Sequence, residues 1–170
     1  MKKILPAFVI FISGCCIPLM GPCGSEEYIA PGTDKNNAVI IHTTHEYTDD
    51  SEPGFGRTHL LEIFPESRSP LKMSSPVSNV YLEPGKYRFT AFSIWRETPT
   101  RMGPVPVNCY GPLKAGNYLL QSVRRFKPDG SAWFYAVIQD AASKEIVCIA
   151  SPGTEATPAP EWVKQMLKIK

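Results

Sequence analysis

The chain has 170 residues, enough for one domain with a sizeable core. At 43% hydrophobic and 20% charged, its composition is neither that of a disordered chain nor that of a membrane-spanning one. The formal charge is +2, but two of the 18 basic residues, Lys2 and Lys3, sit in a leader-like start. Without them the balance is 16 basic to 16 acidic, which gives no electrostatic reason to expect nucleic acid as a partner. Seventeen prolines and 12 glycines favour short strands joined by turns over long helices.

The first segment, residues 1–14, reads as a signal peptide. Met1-Lys2-Lys3 is a positive start, and Ile4 to Ile12 is apolar apart from Pro6. That run is too short to cross a bilayer as a helix, which takes about 20 residues, and suits the hydrophobic part of a secretory signal. Ile12-Ser13-Gly14-Cys15 then resembles the lipobox of bacterial lipoproteins. The resemblance implies that the Cys15 thiol carries a diacylglycerol, that the signal is cut before it, and that the chain is held on a cell membrane by several acyl chains. The next residue is Cys16, not Asp, which in Gram-negative members of that family leans towards the outer membrane.

With Cys15 acylated, four cysteines remain: Cys16, Cys23, Cys109 and Cys148. An oxidising compartment favours disulfides among them, and four cysteines allow three connectivities. The local choice is Cys16–Cys23 in the tail and Cys109–Cys148 in the domain. The spacings match no zinc motif. Residues 15–37 read as a lipid-anchored spacer, with 24–37 the most disordered part. Gly21 to Asn37, as a flexible stretch of about 17 residues, has a mean reach of roughly 20–25 Å.

Residues 38–150 read as an all-β domain, an antiparallel β-sandwich of about 7–8 short strands. Ala38 to Tyr47 alternates as the first strand, and Phe55 falls in the loop after it. His59 to Phe64 is the next, followed by a long loop and then Asn79 to Leu82. Tyr87 to Trp95 is the strongest strand, with Tyr87, Phe89, Ala91, Ser93 and Trp95 on its core face. Val105 to Tyr110 is extended, and Pro104 and Pro106 predict an edge. Tyr118 to Phe126 and Ala132 to Gln139 flank Lys127-Pro128-Asp129-Gly130, a hairpin turn. Both faces of the latter strand are apolar, which predicts a central position. Glu145 to Ala150 is the last strand. Residues 151–170 read as a linker and a short C-terminal helix, with Trp162, Val163, Met166 and Leu167 as an apolar stripe that docks on the domain, a membrane-binding helix being the alternative.

Two stretches in this domain echo each other. Leu82-Glu83-Pro84-Gly85-Lys86-Tyr87 and Leu113-Lys114-Ala115-Gly116-Asn117-Tyr118 both read Leu-x-x-Gly-x-Tyr, and each opens a strand. Pro84-Gly85 suits a type II turn. The pattern resembles the tyrosine corner of immunoglobulin-like β-sandwiches and the Pro-Gly-x-Tyr turns of transthyretin-like domains in bacterial surface lipoproteins. The resemblance implies that each tyrosine hydroxyl bonds nearby backbone and pins a crossover. It speaks for fold more than for function.

Little in the sequence points to catalysis. His42-Thr43-Thr44-His45-Glu46, with His59, is the one constellation that invites a metal or hydrolase reading. Histidines three apart on a strand face opposite ways, which works against it. No Gly-x-Ser-x-Gly elbow, phosphate loop or dinucleotide fingerprint is present, so no cofactor, catalytic residue or metal ligand is assigned. Arg124, Arg125 and Lys127 form a small basic cluster that suits an acidic partner or lipid headgroups, or stands as a solvated strand end. Tyr110 and Phe55 are candidate exposed contacts. The leading expectation is a non-enzymatic, membrane-tethered binding or structural module of the cell envelope. Its expected partners are the membrane, through the lipid on Cys15, and an envelope protein. A subunit of a secretion or envelope machine, and an envelope hydrolase or metal-dependent enzyme using His42, His45 and His59, are the alternatives.

Overall fold

The computed structural model describes residues 27–43, 45–46, 56–73, 77–95, 101–130 and 132–167. Residues 1–14, expected to be a signal peptide, and Cys15, Cys16, Cys23 and Phe55 lie outside them. The described chain forms β1 (Glu27–Ile29), a 3-10 turn (Lys35–Asn37), β2 (Val39–Thr43), β3 (His45–Glu46), β4 (Gly56–Pro65), β5 (Leu71–Lys72) and β6 (Asn79–Leu82). Then follow β7 (Tyr87–Trp95), β8 (Arg101–Cys109), β9 (Gly116–Phe126), β10 (Ala132–Asp140), β11 (Ile146–Ala150) and α1 (Glu161–Met166). No described helix is long and apolar enough to cross a membrane.

All eleven strands belong to one sheet in the order β1-β6-β2-β9-β10-β11-β8-β7-β4-β3, with β5 beside β4. The sheet curls so that its two halves enclose one core. Ile41, Leu82, Leu120 and Ile138 from one half meet Leu60, Ile63, Phe89 and Val107 from the other. The protein is therefore mainly β, as expected, but the antiparallel sandwich of 7–8 strands is corrected to a mixed, curled sheet. Two of its pairings are parallel: β1 with β6, and β2 with β9. The reason lies in the period-2 pattern. Val39 and Ile41 face the core in either strand direction, so alternation fixes the buried face without fixing parallel or antiparallel pairing.

The spacer expected over residues 15–37 is shorter than expected at its domain end. Tyr28 and Ala30 pack on the core, and β1 adds a strand beside β6. Asp34 accepts from the Asn36 N–H at 3.0 Å and caps the 3-10 turn. The single strand expected over Ala38 to Tyr47 is two strands. β2 pairs with β6 and β9, whereas β3 pairs with β4 in the other half.

The expected edge at Pro104 and Pro106 is right for half of β8. Among the described strands, residues 101–106 are in register with β7 alone, so a missing N–H leaves no gap in a second ladder, and the Pro106 carbonyl accepts from the Ser151 N–H at 3.1 Å. Val107, Asn108 and Cys109 pair on both sides and join the two halves of the sheet through β11. Gly103 serves this strand where another residue would not fit. Its φ is +106°, and a Cβ there would lie 2.9 Å from the Ala91 carbonyl oxygen.

The two apolar faces of β10 have separate partners. Phe134, Ala136 and Ile138 join the main core, while Tyr135 and Val137 lie under the C-terminal helix. Trp162, Val163, Met166 and Leu167 all pack in that second cluster with Val123 and Ile149. Trp162 meets Tyr135 edge-on at 5.7 Å.

Candidate functional site

The two Leu-x-x-Gly-x-Tyr stretches meet in space. The Tyr87 hydroxyl donates to the Glu83 carbonyl at 2.6 Å, and the Tyr118 hydroxyl donates to the Lys114 carbonyl at 2.9 Å. Both bonds span four residues, so the copies share one local geometry. Gly85 and Leu113 then exchange two backbone hydrogen bonds, at 3.0 and 2.8 Å. The echo in the sequence is thus a contact between two crossovers that close the same end of the sheet. Burial pushes both tyrosine hydroxyls above the usual phenol range; Glu83 adds to the effect at Tyr87. The type II turn expected at Pro84-Gly85 is not formed. Gly85 is not among the glycines with positive φ, because it serves as the bridge to Leu113.

Beside this corner end lies the seam of the sheet. Cys109 and Cys148 face each other across β8 and β11, with their sulfurs at bonding distance, 2.09 Å. Asn108, only 2% exposed, donates from Nδ2 to Ser151 Oγ at 2.8 Å and to the Gly153 carbonyl at 2.9 Å. Ser151 in turn donates to the Glu155 carbonyl at 2.8 Å, and the Tyr110 hydroxyl donates to the Thr157 carbonyl at 2.7 Å. Residues 151–157, expected to be a linker, are thereby fastened over the seam. Asn108 could not be singled out from sequence, because its acceptors lie more than 40 residues away.

Between this fastened segment and the ends of β4 and β7 runs an open groove of about 720 Å³. Phe64, Tyr87 and Tyr110 supply its aromatic lining, and Glu66, Lys86, Arg88 and Glu155 its charged lining. The Arg88 guanidinium stands 5.6 Å from the Phe64 ring centre, and Lys86 pairs with Glu66 at 3.2 Å. Tyr110 is 48% exposed although its hydroxyl is bonded, so its ring is held in place and presented to solvent. The groove offers apolar faces and one guanidinium that has no ion-pair partner among the described residues. That chemistry suits an extended peptide segment carrying apolar and charged side chains.

The histidines are dispersed. His42 points outward from β2, with Nδ1 2.7 Å from Asn79 Oδ1 and Nε2 2.9 Å from Asn117 Oδ1. A neutral ring donates from one nitrogen and accepts at the other, so one of these amides then turns its NH2 towards the ring. His59 is buried on β4, in the other half of the sheet, with its ring 5.4 Å from Phe92. It neighbours Thr58, which faces inward, so His59 faces the opposite side. His42 and His59 therefore do not share a site, and the backbone of His45 lies on β3. Among the described residues, no group of three or more His, Cys, Asp or Glu is placed to hold a metal ion.

Three hydroxyls from different strands come together in the core. Thr58 Oγ1 lies 2.6 Å from Ser93 Oγ and 2.9 Å from Ser122 Oγ, and the two serine oxygens are 2.9 Å apart. All three are fully buried, and they join β4 and β7 to β9 across the core. Each hydroxyl has a partner, so the cluster ties the halves of the sheet together. No protein-family model, curated protein or solved structure matches this chain.

Proposed function

We propose that the protein is a lipid-anchored module of the bacterial cell envelope that binds a partner protein and is not an enzyme. The Ile12-Ser13-Gly14-Cys15 motif supports the anchor. The observation that carries the binding role is the groove beside the corner end. Its exposed aromatic ring is fixed by a hydrogen bond and a guanidinium stands nearby, on a rigid, disulfide-closed frame. A preorganised surface of this kind loses little entropy when a peptide settles on it.

The polar groups inside the fold support the same reading. The hydroxyl cluster, Asn108 and the two corner tyrosines have intramolecular partners that bind one element to another. The alternative of an enzyme built on His42, His45 and His59 loses ground because His42 and His59 occupy different halves of the sheet. On this proposal the protein sits on the outer membrane if its host has one, and membership of a larger envelope assembly is one form the partnership takes.

The test has two arms. Cys15→Ser moves the protein from the membrane fraction to the soluble fraction; retention in the membrane contradicts the anchor. Tyr110→Ala combined with Arg88→Glu leaves the protein folded and membrane-bound but removes the partner that co-purifies with the intact chain from solubilised membranes. Unchanged co-purification contradicts the groove as the contact surface.

A further inference from the structure

The end of the sheet opposite the corners carries a different kind of surface. Among the described residues, β9 beyond Leu120 pairs with β10 alone, and β10 before Val137 pairs with β9 alone. The β9–β10 hairpin thus forms this end of the sheet, its inner face tied to β4 through Ser122 and Thr58. On its outer face Arg125 and Trp133 are cross-strand partners. Lys127 Nζ lies 4.8 Å from the Trp133 ring centre, and Arg125 lies 5.9 Å from that of Trp162. Trp133 is 45% exposed, and Arg125 is exposed as well. The turn contributes one carboxylate, Asp129, and Lys164 is paired with Glu161 at 3.5 Å, so Arg125 and Lys127 set the sign of the patch. Tryptophan with flanking cations is the side-chain set that settles at a bilayer interface, rings among the headgroups and cations on anionic lipid.

The direction of the chain brings this end to the membrane. β1 runs parallel to β6, from Glu27 beside Asn79 to Ile29 beside Tyr81, towards the corner end. The chain therefore enters β1 from the hairpin side. Through Asn79 and His42, Glu27 stands level with Leu119 on β9. Arg125 is six residues further along, about 20 Å at strand rise. Eleven residues lie between Cys15 and Glu27, twelve steps along the chain. They span at most about 40 Å and on average about 20 Å. A lipid on Cys15 can thus lie in the same plane as the hairpin tip.

We propose that the outer face of the β9–β10 hairpin, through Trp133, Arg125 and Lys127, rests on an anionic phospholipid surface and sets the orientation of the tethered domain. This rests on the lipid-anchor reading. It places the corner end and its groove away from the bilayer.

The acylated full-length protein is reconstituted into vesicles of phosphatidylethanolamine and phosphatidylglycerol containing brominated acyl chains, and compared with Trp133→Phe. Bromolipid quenching of tryptophan fluorescence is expected in the intact protein and lost in the variant. Flotation with the vesicles reads the anchor separately. A protein that floats without Trp133-dependent quenching keeps its anchor and overturns the proposed orientation. A protein that does not float overturns the anchor. The hairpin is then read by sedimentation of the Cys15→Ser chain with the same vesicles. Each cation contributes about fivefold to binding at an anionic surface, so Arg125→Glu with Lys127→Glu weakens it by at least on the order of 25-fold. Equal binding by the two chains, or binding only to an acidic protein, overturns the proposal.

Discussion

The two ends of the curled sheet solve opposite problems. At the corner end, exposed strand termini are closed off by bonds of the chain to itself. Two tyrosine hydroxyls bond backbone carbonyls, Gly85 and Leu113 exchange hydrogen bonds, and the disulfide and Asn108 hold the seam alongside. At the hairpin end, Trp133 and two cations stand on the outer face of the β9–β10 pair. The difference teaches that rigidity and contact chemistry are placed separately. The groove borrows its rigidity from the corner end, whereas the hairpin face needs only the β9–β10 ladder and the helix beneath it.

The largest break in this comparison comes at the seam. β8 and β11 share three paired positions, and the disulfide closes a separation of 39 residues there. In the chain-entropy account, replacing Cys109 and Cys148 with alanine costs about 4 kcal/mol. Urea unfolding of the double variant measures it, and peptide mapping without reductant should recover the linked pair from the unaltered protein. A seam that loses nothing would mean that the ladder alone joins the halves.

Asn108→Ala comes next. It leaves buried acceptors at Ser151 and Gly153 unmatched, a loss of about 2 kcal/mol. Hydrogen exchange should rise in residues 151–157 while the hairpin stays protected. Tyr118→Phe costs about 1 kcal/mol, and Tyr87→Phe less because that residue is only partly buried whereas Tyr118 is buried. Since the corners are bridged, the double variant should depart from additivity by about 0.5 kcal/mol or more; strict additivity would mean that the bridge transmits nothing.

The same tyrosines set a pH dependence. Their hydroxyls titrate at higher pH in the folded state than in the unfolded state. Their contribution is therefore fully present below the ordinary phenol pKa of about 10 and is lost as pH rises through the folded value. An alkaline unfolding series should decline from that point, and Tyr87→Phe with Tyr118→Phe should flatten the decline. The smallest effect belongs to the other end. Arg125→Glu with Lys127→Glu should leave stability within about 0.5 kcal/mol, because exposed side chains away from caps and cores contribute little to folding.

Local signals made much of this legible in the sequence. Tyr87 and Tyr118 could be read because each hydroxyl finds its acceptor four residues back. The docking stripe of Trp162, Val163, Met166 and Leu167 could be read from helical spacing, and the two apolar faces of β10 announced that both would be covered. What escaped depends on register between distant strands. Glu27–Ile29 is a strand because β6 offers it an edge, not because of its own composition. The hydroxyl cluster exists only once Thr58, Ser93 and Ser122 meet across the core. The groove likewise needs residues 151–157 in place, and nothing in Ser151-Pro152-Gly153 reveals Asn108 as its tether.

Photocrosslinking in intact cell envelopes, from a reactive side chain placed at position 110 in one protein and at position 133 in another, compares the two ends most directly. A tethered module with its groove away from the bilayer gives protein adducts from position 110 and lipid adducts from position 133. Lipid adducts from position 110, with protein adducts alone from position 133, would contradict both the orientation and the assignment of the groove.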